Sequence, residues 1–259
     1  MYFKFVIALA TLSVLIIPVL GQTTAGEWYE KGVSAYDEGS YDLSINYFDK
    51  TLEINPTDMN ALIQKGLALF SQGRYDEAVQ SFDKVISINP NGENAYLYKG
   101  LALYQQNKYN EALGELESAI RINPQDAKAW AGKGDVLSDL GKYDDALQAY
   151  ENVIKINPQN ERAFYNKGVI LNKLSRYSEA VDAYNNAIVI NPQDADAWFG
   201  KGNALSDLSE FEDAIKAYEG AIEINPQFAS AWYNKGIMLK ELGRDKEAEE
   251  SFAKAGKRP

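Results

Sequence analysis

The chain has 259 residues, enough by length for one or two globular domains, and a formal net charge of -11. That acidity argues against a nucleic-acid backbone or an anionic membrane surface as partner, because both would repel it at long range. Cysteine and histidine are both absent, which removes thiol nucleophiles, imidazole bases, the usual zinc sets and histidine-ligated haem.

Residues 1–24 read as a targeting segment: Lys4 precedes an apolar run from Phe5 to Leu20, and small and polar residues follow. Cleavage after Gly21 or after Ala25 would make it a signal peptide, and retention would make it an N-terminal membrane anchor. Either way the rest of the chain is expected outside the cytoplasmic membrane, since Lys4 stays inside and Glu27 and Glu30 lie on the far flank.

From Ala25 onward the sequence repeats itself. Lys-Gly recurs at Gly32, Gly66, Gly100, Gly134, Gly168, Gly202 and Gly236, always 34 residues apart, and Asn-Pro keeps the same period from Pro56 to Pro226. A fixed period of this size marks an array of stacked units. The spacing places units at 25–58, 59–92, 93–126, 127–160, 161–194, 195–228 and 229–259, leaving no room for a catalytic domain.

Each unit reads as two helices. In the fourth, Trp130, Gly134 and Leu137 share one face of a first helix, and Ala146, Tyr150 and Val153 repeat those offsets in a second. Gly141-Lys142 forms the turn between them, because glycine past a helix end takes the left-handed conformation cheaply. Asp144 and Asp145 open the second helix, Lys155 closes it and Asn157-Pro158 stops it. Gly134 and Ala146 should let the helices of one hairpin approach closely, while Trp130 and Tyr150 fill the space between successive hairpins.

With a large apolar residue followed by Gly, Tyr, Ala, an aromatic and Pro at set offsets, the chain resembles the tetratricopeptide repeat family. The residues are Leu62, Gly66, Tyr75, Ala78, Phe82 and Pro90 in the second unit, and Trp130, Gly134, Tyr143, Ala146, Tyr150 and Pro158 in the fourth. In the sixth they are Trp198, Gly202, Phe211, Ala214, Tyr218 and Pro226. The resemblance implies an all-α, right-handed superhelical solenoid whose inner groove is lined mainly by first helices. It departs from the family pattern in the Lys before each Gly, in residues such as Leu137 in place of a common Tyr, and in Asp245, which makes the last helix polar at its start. No capping helix follows, so that last helix, with Phe252 as its inward anchor, is expected to face water.

On that fold, the stripe one residue beyond the buried face should line the groove. Early units supply Tyr29, Tyr36, Phe70, Leu97, Tyr98 and Tyr104; later ones supply Asp135, Asp139, Asn166, Asn172, Lys173, Asn203 and Asp207. An apolar half thus meets a polar half, which suits a peptide with an apolar part and an amide or basic part. The early aromatics fit a second role equally, completing the packing between neighbouring units. Asn172 and Asn203 suit a clamp for a peptide carboxylate, but the matching basic residues are missing. The expected function is a non-enzymatic protein-interaction scaffold without cofactor, metal or small-molecule substrate; the alternative is a structural protein that assembles with copies of itself.

Overall fold

The computed structural model describes residues 23–256, so the targeting segment lies almost wholly outside the described residues. The described residues form fourteen helices and no strand. First helices are α1 (Ala25–Asp37), α3 (Met59–Ser71), α5 (Glu93–Gln105), α7 (Ala127–Asp139), α9 (Glu161–Lys173), α11 (Ala195–Asp207) and α13 (Ala229–Glu241). Second helices are α2 (Tyr41–Ile54), α4 (Tyr75–Ile88), α6 (Tyr109–Ile122), α8 (Tyr143–Ile156), α10 (Tyr177–Ile190), α12 (Phe211–Ile224) and α14 (Asp245–Lys254). Each packs against its neighbours in the chain, and first helices also touch first helices of the next unit, as α5 does α7 and α9 does α11. The result is a helical solenoid.

Local chemistry sets the unit length twice. Within a hairpin, Gly39, Gly73, Gly141 and Gly243 take positive φ; at the same place the third, fifth and sixth units use Asn107, Ser175 and Ser209. Between hairpins, the asparagine of each Asn-Pro pair has a role beyond preceding proline. Its Oδ1 accepts the amide two residues on, as Asn157 does from Gln159 at 3.1 Å and Asn225 from Gln227 at 3.1 Å. This side-chain turn lets the chain reverse where proline has removed a donor. Asp58, Asp126, Asn160 or Asp194 then caps the next first helix.

The joint between units is a ring laid over glycine. A Cβ at Gly66 would stand 2.6 Å from the Phe82 ring, so only glycine admits that ring. Tyr184 is held on both sides: Cβ atoms at Gly168 in its own hairpin and Gly200 in the next would lie 2.8 and 2.7 Å from it. The expected bridging by Tyr150 therefore holds, with its ring on Gly134 and its cluster extending to Ile170 and Leu171 of the next unit. The expectation for tryptophan holds, with a polar contact added: Trp198 packs in a cluster that also holds Ala231 and Trp232 of the next unit. Trp198 packs on Gly220 of its own second helix, and the indoles of Trp130, Trp198 and Trp232 donate to the carbonyls of Pro124, Pro192 and Pro226 in the preceding turn. An indole needs a partner for its N–H at a half-buried site, and that carbonyl supplies it; the bond ties each hairpin to the turn that ends the preceding unit.

The lysine before each glycine also finds its reason. Lys65, Lys99, Lys133, Lys167 and Lys235 each pair with the carboxylate sixteen residues earlier, on the second helix of the preceding unit: Asp49, Asp83, Glu117, Glu151 and Glu219. Lys201 has Asn185 at that offset; it lies 5.3 Å over the Trp198 ring, as Lys133 and Lys235 lie over Trp130 and Trp232. In α14, Ala248, Ser251 and Phe252 are buried and most of the rest is exposed, as the charge pattern implies for a terminal helix.

Candidate functional site

The first helices place their polar stripe above the ring joints, and the two are chemically linked. Where the side chain over the glycine is Phe48, Phe82 or Leu116, the residue after the glycine is Val33, Leu67 or Leu101. Where it is tyrosine, its hydroxyl emerges on the groove side and a polar residue meets it. Tyr150 donates to Asp135 Oδ1 at 2.7 Å and Tyr218 to Asn203 Oδ1 at 2.9 Å; Asn172 Nδ2 donates to the Tyr184 hydroxyl at 3.3 Å. Asn166 and Asn234, from the following first helices, add a second hydrogen bond to Asp135 and Asn203 at 3.4 and 2.9 Å.

Burial governs the electrostatics of this floor. It raises the pKa of Tyr150, which Asp135 raises further, and holds the Tyr218 hydroxyl up to about 12, so both rings stay protonated donors. It also raises the Asp135 carboxyl, with the Tyr150 hydrogen bond and Arg162 pulling it back and Asp139 pushing it up. At the edge of the site, burial and the Asp194 carboxylate push Glu161 up to about 7.

Five of the predicted residues converge. Phe70, Tyr104, Asp135, Asp139 and Asn166 line one open cleft of about 550 Å³, in which Tyr104 donates to Asp139 at 2.7 Å. Asn203 and Asp207 line a second cleft of about 480 Å³. Lys173 stands 5.1 Å over the Tyr143 ring. The early aromatics carry part of the packing, within hairpins and between them: Tyr36 packs on Tyr41, Phe70 on Tyr75, Tyr104 on Tyr109 and Tyr29 on Phe48, while the Tyr36 hydroxyl also meets Ser71 and that of Tyr104 meets Asp139, each in the next unit. Tyr98 crosses a joint and stacks on Phe82 of the preceding unit. Leu97 is a correction, being only 2 % exposed: it turns into the core with Leu116 and Ala129. Sequence reasoning missed Arg162, the one cation in the first cleft. It lies four residues before Asn166 on α9, and following that face back one turn finds it.

Models described as tetratricopeptide repeat match residues 28–58, 47–80, 132–195 and 183–216, and one described as TPR repeat matches 66–107, 100–141 and 202–243. The chain belongs to the tetratricopeptide repeat family. No curated protein matches it. Among solved tetratricopeptide structures, YrrB, described as a TPR protein with an unusual peptide-binding site, is 25% identical, with a TM-score of 0.61 over 68% of this chain and 91% of its own. MamA of Desulfovibrio magneticus is 26% identical, with a TM-score of 0.60 over 63% of this chain and 92% of its own. A tetratricopeptide repeat protein of Parabacteroides merdae, at 18% identity, matches the fold with a TM-score of 0.67 over 90% of this chain and 92% of its own. The family assigns this chain to protein-interaction scaffolds in general.

Proposed function

We propose that the protein is a non-enzymatic scaffold that binds an extended peptide segment of a protein partner along its first helices, outside the cytoplasmic membrane. The observation that carries this reading is the cleft in which Phe70 and Tyr104 face Asp135, Asn166 and Arg162. Aromatic walls offer area at low entropic cost, while the carboxylate, amide and guanidinium match the donors and acceptors of a peptide backbone. The YrrB description, a peptide-binding site on a similar fold, supports the same class of ligand. The placement outside the membrane rests on Lys4 and the apolar run behind it.

The test is selection of displayed peptides on the purified chain, followed by titration against variants. Arg162→Ala and Phe70→Ala should each weaken a selected peptide about tenfold or more. Arg162 is exposed, so its variant should melt like the parent. Unchanged affinity in both variants would refute the cleft as the site.

A further inference from the structure

The two clefts share one floor, built twice, under different walls: Phe70 and Tyr104 of the first have no counterpart lining the second. Adding 68 residues, two repeat lengths, to the floor of the first gives the floor of the second: Asp135 becomes Asn203, Tyr150 becomes Tyr218 and Asn166 becomes Asn234. The hydrogen bonds are copied with the residues, since the tyrosine hydroxyl and the following asparagine both converge on the same Oδ1 in each. Ser138 and Asp139 recur in the same way as Ser206 and Asp207. The intervening joint breaks the pattern, because Val169 and Gly200 stand where Asp135 and Asn166 would.

The two differ in charge in a compensated way. The second cleft replaces Asp135 by Asn203, but it also has Ser230 at the place of Arg162. One anion and one cation leave together, so each cleft keeps the same net formal charge of one negative, and Asp139 in the first corresponds to Asp207 in the second. Both carboxylates are exposed at the C-terminal end of their first helix. At the same register on the helix between them stands Lys173, also exposed. Along the groove the sequence of charge is therefore negative, positive, negative.

Packed helix axes lie about 8–10 Å apart, so two steps along the first helices span roughly 20 Å, a length covered by about six residues of extended chain. We propose that this half of the groove holds an extended peptide at two equivalent stations. Each station takes one basic side chain, the two are about six residues apart, and an acidic side chain midway faces Lys173. The proposal rests on the peptide-groove reading above and names the partner's charge pattern.

Synthetic twelve-residue peptides, serine apart from the charged positions, test it by fluorescence anisotropy with the full chain at low ionic strength. One carries arginine at its third and ninth positions and glutamate at its sixth. A second lacks the later arginine, and a third inverts all three charges. The two-armed peptide should bind about a hundredfold more tightly than the one-armed peptide, the lower end of what joining two sites gives. Asp139→Asn or Asp207→Asn alone should bring it to the one-armed level, and the inverted peptide should not bind. Both substitutions are isosteric and at exposed positions, and thermal melts that match the parent verify the fold. Equal affinity for the one-armed and two-armed peptides, or sensitivity to only one of the substitutions, would overturn the proposal. If selected peptides still lost affinity with Arg162→Ala, the groove reading would survive that result. Failure of every peptide, selected or synthetic, would remove both.

Discussion

The first three units and the next three solve one packing problem with different side chains. Phe48, Phe82 and Leu116 close their joints with hydrocarbon, and the groove residue above each is Val33, Leu67 or Leu101. Tyr150, Tyr184 and Tyr218 close theirs with one oxygen more, and Asp135, Asn172 and Asn203 meet it. The polarity of the groove is thus tied to the identity of a ring whose body is hidden in the joint. The seventh unit returns to Phe252 and Ile237, which supports the coupling. In the fifth, Val169 follows the glycine and Asn172, one turn on, partners the hydroxyl instead.

The largest effect should come from emptying a joint of the hydrocarbon kind. Phe82→Ala removes a ring with no exposed surface and should cost about 3–5 kcal/mol, measured by denaturant unfolding. If units open one at a time, the loss should concentrate in units two and three by hydrogen exchange.

Converting one kind of joint into the other is subtler. Tyr150→Phe leaves Asp135 half-buried without its principal donor, at a cost of about 1–3 kcal/mol. Adding Asp135→Leu, the residue found at Leu67 and Leu101, should recover most of that loss. A double-mutant cycle with no coupling energy would break the comparison.

Asp135→Asn sharpens it with pH, since Asn203 already makes the same two hydrogen bonds as an amide. Burial, helped by Asp139, holds the folded carboxyl above its unfolded pKa despite the Tyr150 hydrogen bond and Arg162, so the fold disfavours the ionised form. Stability from Asp135 is therefore greatest when it is protonated and is lost as pH rises through the folded value. The variant should melt higher than the parent at neutral pH, and the gain should vanish below about pH 4. A gain that persisted in acid would contradict the burial argument.

The smallest effect concerns the ion-pair ladder. Asn185→Glu supplies the missing carboxylate to Lys201 and should add about 0.2–1 kcal/mol at low salt, fading as salt is raised.

Much of the architecture was legible because each helix and turn is written seven times and the Asn-Pro stop six. Glycine at a fixed offset from an aromatic reads directly as a close approach, and Gly141 reads as a left-handed turn, found at φ 72. Hydrophobic spacing shows that Trp130 is inward but not which neighbour it meets; its indole N–H, a polar need, ties it to the turn that ends the preceding unit. Leu97 was misplaced because it shares its register with half-buried Ile63 and Ala131, and only the packing of α5 on α6 and α7 turns it inward. The cleft was legible in its residue types; its hydrogen bonds were not, because Tyr150 belongs to a helix that the stripe does not follow.

A solenoid stretches or twists as a spring, and its compliance is set by the weakest coil. From the second unit on, five of the six lysines that precede the repeat glycine clasp their unit to the one before, and the sixth, Lys201, has Asn185 where the others find a carboxylate. A clasp of that exposed kind shifts an opening equilibrium roughly two- to fivefold. The unclasped coil lies between the two clefts, so flexing there changes the distance between them while leaving each floor intact.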